Sequence, residues 1–409
     1  MEMITLDVTE MAHGGSAIGR ARRGRTVFVP LTIPGEKVRA QIVSEKNKYA
    51  QAELIQVLQP SPERVAPRCQ HFGVCGGCHF QHMAYAAQLA AKESVVRDQL
   101  ARLGGFKSAN VQPVVPNSEP YAYQVEMVLS PAGNGRLGYW SPIKREVIAI
   151  EECPISRPEL VALLHDVELD LPGLRKLSLR IGDDEALLAA IEVDDVEPPE
   201  LEADFPISVA IVLPDKTAAS LVGDFYSVQQ VNGRDFRVSP GVDMATSPTA
   251  MQAVVQTVLR YAALTGQETV IELFSGVGTL TAFLAERAKE VIAVERNSDA
   301  VEDLAVNLDD RENVALYEED VEVVLPTLPT GVEVMVVHPW ANGLSRQAIS
   351  AIGRAAPHRL IYVSSDVATL ARDGRSLHQS GYQLVEVQPI DMRPQTFHIE
   401  TVSLWVKEK

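Results

Sequence analysis

Between Ile4 and Leu58 apolar and polar residues alternate in short runs separated by turns: Ile4-Thr-Leu-Asp-Val, Gly14-Gly-Ser-Ala-Ile-Gly, Thr26-Val-Phe-Val-Pro, Lys37-Val-Arg-Ala-Gln-Ile-Val and Ala52-Glu-Leu-Ile-Gln-Val-Leu. Five such strands in so short a span predict a small β-barrel of the OB type, a shape that often offers a nucleic-acid-binding face and can equally serve as a structural cap. Pro60, Pro62 and Pro67 predict an exit linker. The period then changes: apolar residues at helical spacing run from Met83 to Leu103 and stop at Gly104-Gly105. From Val114 to about Phe236 the pattern is mixed, with a Gly-rich hairpin at Ala132-Gly-Asn-Gly-Arg-Leu-Gly and a loop at Pro198-Pro199.

From Thr249 onward helices alternate with short apolar strands. Helices are predicted over Thr249 to Leu264, Thr279 to Ala288 and Asp299 to Leu308, and strands at Thr269-Val-Ile-Glu-Leu, Glu290-Val-Ile-Ala-Val, Val332-Glu-Val-Met-Val-Val and Arg359-Leu-Ile-Tyr-Val-Ser. Such alternation predicts a parallel sheet covered on both faces. The expected fold class is therefore α/β, with an OB-like barrel over 1–60, a mixed α+β region over 61–240 and a Rossmann-like domain over 241–409.

Composition sharpens this in two ways. A chain of 409 residues with 46% hydrophobic content holds two or three cores, and no apolar run approaches the ~18 residues of a membrane span. The start Met1-Glu-Met-Ile-Thr-Leu-Asp resembles no secretory signal, and four cysteines are too few for a disulfide scaffold, so a monomer in a reducing cytoplasm is expected. The net charge of -17 argues against a surface coated in basic patches. Cations nonetheless gather early, at Arg20, Arg22, Arg23, Arg25, Lys37, Arg39, Lys46 and Lys48, while acids crowd the stretches from Asp183 to Glu202 and from Asp299 to Asp320. One basic module can touch a polyanion while the remainder stays acidic.

Glu272-Leu-Phe274-Ser-Gly276-Val-Gly278-Thr279 joins a strand to a helix, and its glycines let backbone approach a ligand. Glu295, at the end of the next strand, suits the two hydroxyls of a ribose. The third glycine of a pyrophosphate-binding turn is missing, and the motif begins with an acid able to receive an ammonium, which favours S-adenosylmethionine over a dinucleotide. Asp320 stands where an adenine-contacting acid commonly falls, or in a solvated acidic loop.

Cys69-x5-Cys75-x2-Cys78 sits in one Gly-containing turn, with Cys153 far downstream in Glu151-Glu-Cys-Pro-Ile. Three close thiols and one distant one suit a [4Fe–4S] cluster; zinc is the rival, although its structural sites usually present two Cys-x2-Cys hooks.

Taken together these segments resemble the RNA uracil-C5 methyltransferases that carry an N-terminal TRAM domain and an iron–sulfur cluster, as in the 23S ribosomal RNA enzymes. The likeness spans nearly the whole chain: Gly14-Gly-Ser-Ala-Ile-Gly with Val38-Arg-Ala, His71-Phe-Gly-Val-Cys-Gly-Gly-Cys with Cys153-Pro-Ile, Phe274-Ser-Gly-Val-Gly-Thr with Val294-Glu-Arg-Asn, Tyr362-Val-Ser-Ser with Thr369-Leu-Ala-Arg-Asp, and Pro394-Gln-Thr-Phe-His-Ile-Glu-Thr-Val. The resemblance implies an RNA partner, ribosomal or transfer, and a reaction in which a cysteine thiolate adds to uracil C6 so that C5 can attack the cofactor's methyl group. Glu400 matches the base that then removes the C5 proton.

The chain departs from that pattern at four places. The family's Ser-Cys-Asn-Pro-Ala-Thr-Leu-Ala-Arg-Asp is here Ser364-Ser365-Asp366-Val367-Ala368-Thr369-Leu370-Ala371-Arg372-Asp373, putting Ser365 at the nucleophile's position. Asp-Pro-Pro-Arg is His338-Pro339-Trp340-Ala341, Phe-Phe-Gln-Val-Asn is Asp243-Met244-Ala245-Thr246-Ser247, and Tyr-Arg-Asn is Tyr123-Gln124-Val125. His338 is read either as a space-filling residue beside Trp340 or as part of the cofactor site with altered chemistry. Two functions follow: a methyltransferase with changed catalytic groups, or a non-catalytic RNA-binding or ribosome-assembly protein on the same fold.

Overall fold

The computed structural model describes residues 2–21, 24–167, 171, 173–194, 205–213, 218–243 and 245–408; the predicted Pro198-Pro199 loop, Met244, Arg22 and Arg23 lie outside them. Strands β1 (Met3–Met11), β2 (Ala17–Arg20), β3 (Thr26–Val29), β4 (Lys37–Glu45) and β5 (Tyr49–Gln59) close into a barrel in the order β1-β2-β3-β5-β4. Alternation does the work: Leu6, Val8, Val27, Val29, Val38, Ala40, Ala50 and Ala52 all point inward and are buried.

The predicted linker is not free. Arg64 donates from Nε and Nη2 to the two carboxylate oxygens of Glu36 at 2.6 and 2.8 Å, and the Ser61 amide donates to Oε1 at 3.2 Å. Burial works against ionisation of Glu36, but Arg64 and the backbone amides of Ile33 and Ser61 outweigh it and hold the carboxyl below its usual range. The proline-rich segment is thus strapped to the barrel.

Helix α1 (Tyr85–Gln99) continues as a π-helical turn, Leu100–Gly104, and stops at Gly105. The middle of the chain is mainly sheet. β6 (Glu126–Gly133), β7 (Arg136–Ser141), β8 (Glu146–Ala149), helix α2 (Pro158–Asp166), β9 (Leu174–Ile181), β10 (Leu187–Val193), β11 (Ser208–Val212) and β12 (Ala218–Val222) follow, the strands ordered β12-β11-β10-β9-β6-β7-β8. The Gly-rich hairpin is the β6–β7 turn, as its sequence predicts.

Hairpin β13 (Ser227–Val231) and β14 (Arg234–Val238) precedes helix α3 (Pro248–Ala262), which Ser247 caps by accepting from the Ala250 amide at 3.3 Å. Then come β15 (Thr269–Leu273), α4 (Thr279–Ala285), β16 (Glu290–Glu295), α5 (Ser298–Asn307), β17 (Val314–Glu318), α6 (Val321–Val324), β18 (Val334–Val337), α7 (Arg346–Ala355), β19 (Arg359–Ser364), α8 (Val367–Gln379), β20 (Tyr382–Ile390) and β21 (Glu400–Lys407). The sheet runs β17-β16-β15-β18-β19-β21-β20; the four predicted strands are parallel, β17 adds a fifth parallel strand that the sequence reading did not name, and β21 inserts antiparallel between β19 and β20.

One apolar cluster extends from the barrel interior through Phe80, Met83, Val96 and Leu100 to Tyr362 and Trp405 on the C-terminal sheet. The opposite face of that sheet packs on α3 and α4 together with Val231 and Phe236 of the β13–β14 hairpin. No helix among the described residues is long and apolar enough to cross a membrane.

Candidate cofactor, acceptor and thiol sites

At the carboxyl ends of the parallel strands, where ligands of open α/β sheets bind, a cavity of about 300 Å³ is lined by Phe274, Glu295, Asp320, Pro339, Trp340 and neighbouring residues. Glu295 closes its inner edge. Its Oε2 accepts the Gly276 amide at 3.0 Å and its Oε1 accepts the Arg296 and Asn297 amides at 2.8 and 2.9 Å. Three backbone donors fix the carboxylate: Oε1 is filled by two amides, and Oε2, which accepts one, keeps a lone pair for a ribose hydroxyl.

The two motif glycines have different tasks. A Cβ on Gly276 (φ +54°) would meet nothing within 4 Å, whereas one on Gly278 (φ +84°) would lie 2.9 Å from Leu304 of α5. Gly276 leaves the turn open, and Gly278 lets α5 approach. Phe274 also takes a positive φ, 62°, a strained conformation for an aromatic residue. Thr279 is the first residue of α4.

Glu272 does not face the cavity as an ammonium receptor would. Its Oε2 accepts from the Thr281 hydroxyl at 2.7 Å, and burial, assisted by the charge of Glu295, pushes its pKa up to about 8. Asp320 lines the cavity and pairs with Arg296 at 3.4 Å on the exposed rim. Burial holds the His338 imidazole at about 4, hence neutral; its amide donates to Leu273 O at 3.2 Å. Trp340 beside it is 59% exposed.

The acceptor end lies one strand further. Register Ser364↔Thr401 puts Ser365 and Glu400 at the same end of neighbouring strands β19 and β21. Ser365 is exposed, and among the described residues no histidine or carboxylate hydrogen-bonds to it. Glu400 is buried, its Oε1 has no partner, and burial raises its pKa to about 8 against the opposing charge of Arg393.

Sequence alone missed a contact here. His13 of the barrel pairs through Nε2 with Asp366 Oδ2 at 3.1 Å, while Asp366 also caps α8 by accepting the Thr369 amide at 2.7 Å. Burial opposes ionisation of Asp366, yet His13 and that amide hold it at about 2. Nearby, His79 meets the Phe397 ring edge-on with centroids 4.6 Å apart, and Phe397 stacks on His398 at 4.2 Å. No local sequence signal joins positions 13 and 366.

Cys69, Cys75, Cys78 and Cys153 line one void of about 100 Å³. None is in a disulfide. Burial pushes the Cys69 thiol up to about 11, Cys78 up to about 12, and Cys153 upward as well. Gln81 Oε1 accepts the Cys69 amide at 3.1 Å, leaving Nε2 buried without a partner beside Cys78. Among the described residues no three His, Cys, Asp or Glu side chains are gathered as a single metal ion requires.

Barrel, central sheet and parallel sheet with a nucleoside-type cavity together define a TRAM-barrel protein with a methyltransferase fold. The TRAM domain model matches residues 2–55, and the ribosomal RNA adenine dimethylase model matches the cofactor half, residues 249–324. An uncharacterized RNA methyltransferase of Thermosynechococcus vestitus is 32% identical over 98% of this chain and 97% of its own length; one from Nostoc sp. is 31% identical over 99% and 96%. The Pyrococcus abyssi tRNA (uracil-54, C5)-methyltransferase, solved with S-adenosyl-L-homocysteine, superposes with a TM-score of 0.73 at 22% identity, covering 98% of this chain and 100% of that one. The chain belongs to the TRAM-domain RNA methyltransferase family.

Proposed function

We propose that this chain binds S-adenosylmethionine and RNA and holds a [4Fe–4S] cluster, but works as an RNA-binding or assembly protein that does not methylate uracil C5 through a thiolate adduct. The observation that carries this reading is the division of the sulfur: all four cysteines of the sequence line one void, and the nucleophile's position is Ser365. A serine hydroxyl is a weak nucleophile unless a neighbouring base takes its proton.

The cofactor's fit rests on the open Gly276 turn and on Glu295, whose carboxylate is pre-ordered for a ribose. When bound it would supply an electrophilic methyl group. For the cluster, the fit rests on four thiols around one void, with the Gln81 side chain beside Cys78 as a donor that a thiolate sulfur can accept. Iron–thiolate bonds there would tie the 69–78 turn to Cys153.

Methyl transfer by altered groups is the second reading, favoured by Glu400, which keeps a buried carboxyl beside Ser365. Calorimetric titration with S-adenosylmethionine should give one-to-one binding, and labelled cofactor should transfer no methyl group to total RNA from a strain lacking the protein. Transfer would establish the second reading; absence of heat would overturn the cofactor assignment.

A further inference from the structure

The β7–β8 hairpin carries chemistry that neither the cofactor cavity nor the acceptor end uses. Its tip presents Trp140 and Ile143, 59% and 57% exposed, and Lys144 and Arg145 are exposed beside them. Among the described residues neither of these two cations has a carboxylate partner. In a chain of net charge -17, a bare aromatic ring flanked by unpaired cations is an exception that calls for an anionic, stackable partner.

The tip is also clamped to the cysteine loop. The buried Ser141 hydroxyl donates to Val74 O at 2.6 Å and accepts the Lys144 amide at 3.0 Å, and the Arg145 amide donates to Ser141 O at 2.8 Å. A Cβ on Gly76 would lie 2.5 Å from Pro142, so the loop and the tip touch directly. On the inner side of the same hairpin Tyr139 lines the thiol void.

We infer that the Trp140–Arg145 hairpin is a single-stranded RNA contact, in which the Trp140 ring stacks on a base, Lys144 and Arg145 meet phosphates, and the cysteine loop holds the hairpin in place. This rests on the reading of the chain as an RNA binder. It gives the thiol site a task independent of methyl transfer: fixing the geometry of a surface finger.

The test is fluorescence anisotropy of the cluster-loaded full chain with a labelled 20-nucleotide oligouridylate. Trp140→Ala should weaken binding about tenfold, the scale of one lost base–aromatic stack. Lys144→Glu with Arg145→Glu should lower the slope of log affinity against log salt by about 0.7 for each lost phosphate contact. Stripping the cluster should weaken wild type as Trp140→Ala does and add little to that variant, while retained S-adenosylmethionine binding shows the remainder still folded. If wild type binds and all variants bind equally, the hairpin is not an RNA contact. If wild type binds no RNA, the RNA-binding reading itself fails and the inference with it.

Discussion

The thiol site and the acceptor end are built from the same kinds of pieces, distant segments brought together by tertiary packing, yet they end differently. At the thiol site the sequence's four cysteines all line one void, and Gln81 Oε1 accepts the Cys69 amide at its edge. At the end of β19 and β21, where the resemblance expects a base and a nucleophile, Glu400 sits buried with an unpartnered oxygen and Ser365 is an exposed serine. On the proposed reading, the first site keeps its full set of ligand groups and the second has lost one of its two reacting groups. A fold can therefore carry its cofactor architecture without carrying its chemistry.

The sharpest way to break this contrast is at the thiol site. Cys78→Ser should abolish bound iron and lower the unfolding midpoint by on the order of 10 °C, since a structural metal contributes folding energy directly. Iron analysis and calorimetry check it; full iron retention would mean that Cys78 is no ligand. Next in size is the buried pair beneath the acceptor end, where Lys92 Nζ meets Asp391 Oδ1 at 2.5 Å and Tyr85 donates to Oδ2 at 2.9 Å. Lys92→Met should cost about 3–5 kcal/mol by leaving a buried charge, whereas Lys92→Met with Asp391→Leu should cost much less. Denaturant titration separates the two.

A smaller effect distinguishes cofactor binding from catalysis. Glu295→Ala should weaken S-adenosylmethionine by about 1.5–3 kcal/mol, the worth of hydrogen bonds to a charged group. Ser365→Ala should leave that affinity unchanged within calorimetric error.

The smallest expected effect is in pH. Glu272 and Glu400 have folded pKa values raised to about 8, so the folded state holds protons that the unfolded state releases near 4.5. Their contribution is complete at low pH and is lost as pH rises through about 8. His79, His82, His338 and His398, lowered to about 4, act in the opposite sense only below 6.5. Between pH 6.5 and 8 stability should therefore fall by roughly 1–2 kcal/mol per carboxyl, and Glu400→Gln should flatten the slope. An unchanged slope would mean that Glu400 is ionised in the fold.

Local periodicity was enough to read the barrel strands, the β15–α4 turn and the parallel character of the C-terminal sheet, because each follows from patterns within short segments; the strand order and β17 did not. It failed where distant segments meet. The insertion of β21 between β19 and β20, the Arg64–Glu36 strap that turns a proline-rich linker into part of the barrel, and the His13–Asp366 contact all join residues with no shared local signal. The same limit applied to Glu272: an acid at the head of a glycine turn looks like a ligand group, and only the Thr281 hydroxyl explains why it is buried instead.

The division of labour between the two sites is tested most directly by tritium release from RNA carrying 5-tritiated uracil, with S-adenosylmethionine present and the cluster loaded. Saturating cofactor and bound RNA with no release above background is the expected result. Repeated turnover releasing tritium from C5 would contradict it, and would mean that Ser365, Glu400 or a group beside them does what a thiolate was thought necessary to do.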